Sequence, residues 1–162
     1  MQEQRMESST RVRAWEDRDS LNLYPLVLLY LLDVAKLRGD IAPSGSNAEA
    51  FIGLGYQALD RGDPCLVAEE GGKLVGFLIA RGVDTSNLRT TKRICFGFGT
   101  YVLPEFRRMG FAKELRARAF EIAKAQGYER FQGVAYGQAA IDSALAMGSE
   151  ALGVLVSKNL ED

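Results

Sequence analysis

The sequence predicts a single α/β (α+β) domain around a mixed sheet. Three observations point there. Alternating apolar runs and amphipathic stretches follow one another in the order β-α-α-β-β-β-α-β-α-β. Glycine and proline mark the joins between them. The 162 residues, 47% hydrophobic and 25% charged, suffice for one core of ordinary globular composition.

The elements read in order as follows. Met1–Ser9 is a loose polar tail with no apolar signal-peptide core, and the domain begins at Thr10. Thr10–Trp15 alternates Val12 and Ala14 with Arg11 and Arg13, as a short strand does. Asp19, Ser20 and Asn22 offer caps for a helix that tolerates Pro25 early and stops at Gly39. Ser46 and Glu49 form a capping box for a second helix from Asn47 to about Asp60. Pro64–Glu69 and Lys73–Arg81 are strands joined by a Glu70-Gly71-Gly72 turn. A loop over Val83–Thr91 leads to a long strand, Lys92–Leu103. Met109–Gln126 is an amphipathic helix with Phe111, Leu115, Ala119 and Ile122 inward, ended by Gly127. A strand at Phe131–Tyr136, a helix at Gln138–Met147 and a last strand at Ala151–Ser157 complete the chain.

Composition narrows function. The formal net charge of -1 gives no global attraction to nucleic acid. Charges on the third helix (Lys113, Arg116, Arg118, Lys124) alternate with Glu114 and Glu121, which describes a solvated face. There is no histidine, so Ser/His and Cys/His machinery is excluded and a zinc site is not expected. Cys65 and Cys95 form no CxxC pair, so a reducing, cytoplasmic compartment is expected. Cys95 reads as a small buried hydrophobe. Leu21–Leu37 is the most apolar run. Pro25, Asp33 and Lys36 interrupt it, so it reads as a buried helix that falls short of a membrane span.

The most informative stretch is Val102 to Ala112. It joins a strand to a helix through a basic turn. A helix start leaves unpaired N–H groups and a partial positive charge. An anion reaches them only where side chains are small, and Gly110 and Ala112 are small. Arg107 and Arg108 add cationic charge for phosphates. The pattern is a pyrophosphate-holding device, and it points to a nucleotide-tailed cofactor. A Rossmann turn needs Gly-x-Gly-x-x-Gly, which is absent.

At these residues the chain resembles the GCN5-related N-acetyltransferase (GNAT) family, whose motif is [Gln/Arg]-x-x-Gly-x-[Gly/Ala]. Arg107, Gly110 and Ala112 fill its defined positions, and the element order matches over about Thr10–Leu160. The resemblance implies a mixed, mostly antiparallel twisted sheet flanked by helices. It implies acetyl-coenzyme A as cofactor, with a diphosphate bound by Arg107, Arg108, Met109, Gly110, Phe111 and Ala112. Tyr101, Val102 and Leu103 would pair their backbone with the pantetheine arm. Lys113 would lie near the nucleotide end. The family carries a bulge in the fourth strand, and Gly97 and Gly99 suit it; the other reading is a gap filled by an apolar helix. A bulge would also swap the faces of residues beyond it.

The implied reaction moves an acetyl group to an amine, so a proton must leave the nitrogen. The family often uses a glutamate on the fourth strand as base and a tyrosine on the fourth helix as acid. This chain departs from both. Ile94–Leu103 holds no carboxylate, and Ala144, Gly137 and Ser149 replace a tyrosine, an asparagine and a phenylalanine. Tyr136 is the stand-in acid and Ser143 a weaker candidate. Glu69 and Glu70 are candidates through a water chain, with exposed hairpin charges as the plainer role. The first two helices are apolar and aromatic (Tyr24, Tyr30, Phe51, Tyr56). They suit an apolar or aromatic small-molecule acceptor, a peptide amine, a homodimer contact or simply the core. The expectation is an N-acyltransferase acting on such an amine, without nucleic acid, metal or membrane. A silent coenzyme A-binding module and an interaction protein on the same fold are the alternatives.

Overall fold

A computed structural model describes residues 11–83, 93–158 and 160. The expected N-terminal tail and most of the loop after Val83 lie outside the described residues. The described strands are β1 (Val12–Ala14), β2 (Cys65–Glu70), β3 (Lys73–Val83), β4 (Ile94–Val102) and β5 (Arg130–Gly133). They form one sheet in the order β1-β2-β3-β4-β5. The first four pair antiparallel, and β4 pairs parallel with β5. The sheet is thus mixed and mostly antiparallel, as expected. The Gly71-Gly72 turn closes the β2–β3 hairpin with Glu70 opposite Lys73.

Helices α1 (Ser20–Arg38) and α2 (Gly45–Asp60) cover one face of the sheet. Their buried Leu23, Leu26, Val27, Ala48 and Ile52 meet Val67, Phe77, Ile79 and Tyr101. Helix α3 (Phe111–Ala125) covers the other face. Its Phe111, Leu115, Ala119 and Ala123 recur every fourth residue and pack on Leu66, Val75, Leu78 and Cys95. Phe77 and Phe111 are buried completely or nearly so. Each contributes about 1.5–3 kcal/mol by leaving water. Helix α4 (Gln138–Ala146) has no buried residue.

Three expectations are corrected. The second helix is capped by Ser44 rather than Ser46. Ser44 is extended (φ -98°, ψ 173°) after Pro43, and its N–H donates to Asn47 Oδ1 at 2.8 Å. The chain already turns helical at Gly45, so Asn47, not Glu49, closes the box. Second, Ala151–Ser157 forms no strand. A strand needs a hydrogen-bonded neighbour, and β5 is only four residues long. Val154 and Val156 stay 88% and 83% exposed. Third, by length and composition alone α1 is apolar enough to cross a membrane. It packs on the sheet with only Leu23, Leu26, Val27 and Ala35 buried, so it is a one-sided helix rather than the buried one expected. Its end matches expectation: Gly39 is left-handed (φ 69°), and Asp40 N–H donates to Ala35 O at 2.9 Å.

Candidate functional site

The turn between β4 and α3 is built from backbone. Pro104–Phe106 makes a short 3-10 turn, and Arg107 N–H donates to Pro104 O at 3.3 Å. Arg108 then adopts φ 64° and Gly110 φ 86°. Such left-handed residues in a turn aim successive N–H groups into one concavity. Gly110 caps α3 without a side-chain bond, and the first helical N–H to find an acceptor is that of Glu114, on Gly110 O at 3.0 Å. Among the described residues, the amides of Arg108, Met109, Gly110, Phe111 and Ala112 have no acceptor. A Cβ at Gly110 would touch nothing closer than Arg11 Nη2 at 3.6 Å, so the turn has room at that point. Of the six residues expected to present amides, Arg107 alone spends its own internally. Lys113 is exposed on the first turn.

A second feature lies beside the turn. Residues Ile79 and Ala80 of β3 face Gly99 and Gly97 of β4, so Phe98 is an extra residue. This is the expected bulge. Pairing with β5 stops at the same level, at Gly97 opposite Gly133. Beyond it, Phe98–Val102 has no β5 partner. The bulge also sets the two glycines on different faces. A Cβ at Gly97 would meet the Phe131 ring at 2.9 Å, and one at Gly99 the Tyr30 ring at 2.7 Å. Both glycines therefore admit aromatic rings; the helix-filled gap holds at Gly99 alongside the bulge, whereas Gly97 admits a ring from strand β5. The alternation Ile94–Phe96–Phe98–Thr100–Val102 does not survive Phe98.

Parts of β4 expected to be free are already engaged. Leu103 N–H donates to Val75 O at 2.8 Å, and Val102 O accepts Arg107 Nε at 2.9 Å. Tyr101 is buried, with the Arg107 guanidinium 5.4 Å above its ring. Asp33 of α1 lies 3.9 Å from Arg107 Nη2. An arm that pairs with Val102 O must exchange places with the Arg107 side chain.

Tyr136 and Ser143 are not brought together. Tyr136 is half-buried against α1, where Arg38 lies 5.9 Å from its ring. Ser143 is turned the other way and accepts a hydrogen bond from Arg116 of α3. Arg116 is half-buried, so that residue departs from the expected solvated face; burial lowers its pKa. Glu69 accepts from Arg13 at 2.6 Å and is not free as a base, whereas Glu70 is exposed. Burial raises both thiols, Cys65 and Cys95, to about 12, and no acid–base partner activates either.

Two residues carry more of the site than their sequence context suggested. Tyr30 reaches from α1 to the bulge and donates to Phe98 O at 2.8 Å. Burial, then the neighbouring Tyr136, pushes its phenol up to about 12. Arg11 braces the turn from the start of β1. It stacks 4.1 Å over the Phe111 ring and donates to Met109 O at 3.1 Å and to Glu114. Arg11 and Glu114 lie 103 residues apart, so no local spacing signals the pair.

Two open hollows lie elsewhere. One, of about 350 Å³, is lined by Arg61, Asp63, Arg93 and Tyr128, and the other, of about 570 Å³, by Arg13, Leu66, Arg118 and Ile122. Neither touches the turn or the bulge. The first surrounds a structural pair: buried Asp63 accepts from Tyr128 at 2.7 Å and from Gly82 N–H at 3.0 Å.

A mixed sheet that parts at its parallel pair, beside a glycine-opened helix start, defines an acetyltransferase-type α/β domain. The chain belongs to the acetyltransferase (GNAT) family, whose model matches residues 31–148. Similar solved structures share the fold. The apo aminoglycoside 6'-N-acetyltransferase AAC(6')-IG from Acinetobacter haemolyticus is 20% identical, covering 93% of this chain and 99% of its own, with a TM-score of 0.66. A mutant of the BH1408 protein from Bacillus halodurans is 19% identical over 93% and 99%, with a TM-score of 0.74. AAC(6')-Iy in complex with the bisubstrate analog CoA-S-monomethyl-acetylneamine is 20% identical over 93% and 97%, with a TM-score of 0.65. No curated protein sequence matches.

Proposed function

We propose that this chain is an acetyl-coenzyme A-dependent N-acetyltransferase acting on an amine of a small molecule or peptide. The observation that carries the proposal is the run of unpaired amides from Arg108 to Ala112, which follows the stretch of β4 that has no β5 partner. These amides suit a diphosphate, and the open edge of β4 suits the arm attached to it. The AAC(6')-Iy complex supports the cofactor, because a fold of this kind holds a coenzyme A analogue.

When bound, acetyl-coenzyme A supplies an activated acetyl thioester. The protein's own part is alignment and protons. The acceptor nitrogen bonds to the acetyl carbon as the carbon–sulfur bond breaks. One proton leaves the nitrogen, and the thiolate takes one up. Arg108–Ala112 and Lys113 anchor the nucleotide end. Tyr30 and Tyr136, on the α1 side of the bulge, are the nearby phenols. Holding both reactants in place supplies much of the rate by itself.

Calorimetry with acetyl-coenzyme A, then thiol release over a panel of amines and peptides, tests the proposal. Heat of binding with release on at least one amine is expected. Binding without release on any acceptor would favour a silent coenzyme A-binding module. That reading draws on Ala144 and Gly137, which stand where a tyrosine and an asparagine are common in the family. No heat would favour an interaction protein.

A further inference from the structure

Among the described residues, Arg81 is a cation without a counterpart. It lies on β3 opposite Phe96, two residues past Ile79, where the core between sheet and α2 ends. Its guanidinium sits 5.3 Å from the centroid of the Phe98 ring. Phe98 is the bulged residue itself, and Phe96 meets it edge to face at 5.1 Å. The Arg81 Nε is buried, yet it has no hydrogen-bond partner. Among the described residues, no carboxylate pairs with the guanidinium. The other half-buried arginine of the sheet, Arg13, is bonded to both Asp19 and Glu69.

A buried donor left unpaired destabilises the fold, so a purely packing role is better served by methionine or leucine. An aromatic face compensates the charge of a guanidinium but not the directed N–H of Nε. The missing partner is therefore an acceptor that the described residues do not supply. A planar fork of donors matches a carboxylate. The two phenylalanine rings beside it supply an apolar wall. The position is set by the bulge: Phe98 carries the Arg81 contact on its ring and the Tyr30 contact on its carbonyl, at the level where pairing with β5 ends.

We propose that Arg81 binds the carboxylate of the acceptor, and that the acceptor is an amino acid with an apolar side chain resting on Phe96 and Phe98. This rests on the N-acetyltransferase reading and names its substrate class. The carboxylate itself stays unchanged in the reaction. It orients the amine a few bonds away towards the bulge.

The test uses three acceptors of one shape: phenylalanine, phenylalanine amide and phenethylamine, each with acetyl-coenzyme A. Phenylalanine is expected to show a kcat/KM about 10- to 100-fold above the other two, the size of one hydrogen-bonded charge contact. Arg81→Met should remove that preference through KM while leaving the thermal midpoint equal or higher. Arg81→Lys should keep part of it. Equal use of all three acceptors, or a preference that survives Arg81→Met, overturns the inference. A parallel titration of N-acetylphenylalanine against N-phenethylacetamide, with and without coenzyme A, reads the carboxylate contact without turnover. Tighter binding of the acid that vanishes in Arg81→Met keeps the carboxylate site even if no acceptor turns over. Equal binding of the two removes it even if transfer to other amines is found.

Discussion

Gly110→Leu separates the open turn from the rest of the fold. Gly110 is left-handed at φ 86°, where an L side chain costs about 1–2 kcal/mol of backbone strain. A Cβ there meets only Arg11 Nη2 at 3.6 Å, so the leucine extends into open space and adds no core clash. Gly110 itself carries one of the unpaired amides of Arg108–Ala112, so the added side chain stands within that run. If two amide contacts to a diphosphate are lost, at about 1.5–3 kcal/mol each for a charged acceptor, affinity falls about a hundredfold or more. Gly39→Leu is the matched control. Gly39 is also left-handed, at φ 69°, with nothing within 4 Å of its Cβ, and it ends α1 away from the turn. Both variants should lose about 2–8 °C of thermal midpoint. Calorimetry with coenzyme A should then show lost affinity in Gly110→Leu and unchanged affinity in Gly39→Leu. Equal affinities in the two would refute the placement of the diphosphate on this turn.

Three further outcomes follow from the packing around the site. Tyr30→Phe leaves Phe98 O without its 2.8 Å donor, so denaturant titration should show a loss of about 1–3 kcal/mol, together with slower acetyl transfer. Arg13, and next the Glu16 amide, hold the Asp19 carboxyl below its ordinary range. That contribution is complete above the unfolded carboxylate value and is lost as pH falls through the lower folded one, so Asp19→Asn should flatten the acid limb of stability against pH. Burial raises Cys65 and Cys95 to about 12, so neither should react with a thiol reagent at pH 8 until denaturant is added; their contribution should fade as pH climbs from about 9 towards 12.

Local signals in the chain were legible because local physics produces them. Gly39 ends α1 by adopting the left-handed form that an L residue resists, and the Gly71-Gly72 turn closes its hairpin for the same reason. Phe111, Leu115 and Ala119 fix the inner face of α3 by spacing alone. The failure at Ala151–Ser157 shows the limit. Alternation there describes residues able to pair, and pairing depends on a neighbour that the sequence does not display. Ser46 failed for a related reason: two serines stood near the helix start, and the extended backbone after Pro43 selected the earlier one.

The site divides along the same line. The left-handed glycine and helix start of the turn could be read from residues 107–112, because they lie on adjacent backbone, whereas the Arg11 brace could not. The bulge machinery could not, because it joins residues distant in sequence through one causal chain. Inserting Phe98 into β4 breaks the ladder to β3 and leaves the Phe98 carbonyl without a strand partner. A phenol from α1 supplies the missing donor, and its ring then comes close to the strand at the next residue. Only glycine at 99 leaves room, since a Cβ there would stand 2.7 Å from the Tyr30 ring. Gly99 therefore serves a helix packed 69 residues upstream, while Gly97, two residues away, serves the Phe131 ring of β5 on the opposite face. The glycines signalled a departure from regular pairing; which rings they admit, and on which faces, required the tertiary fold.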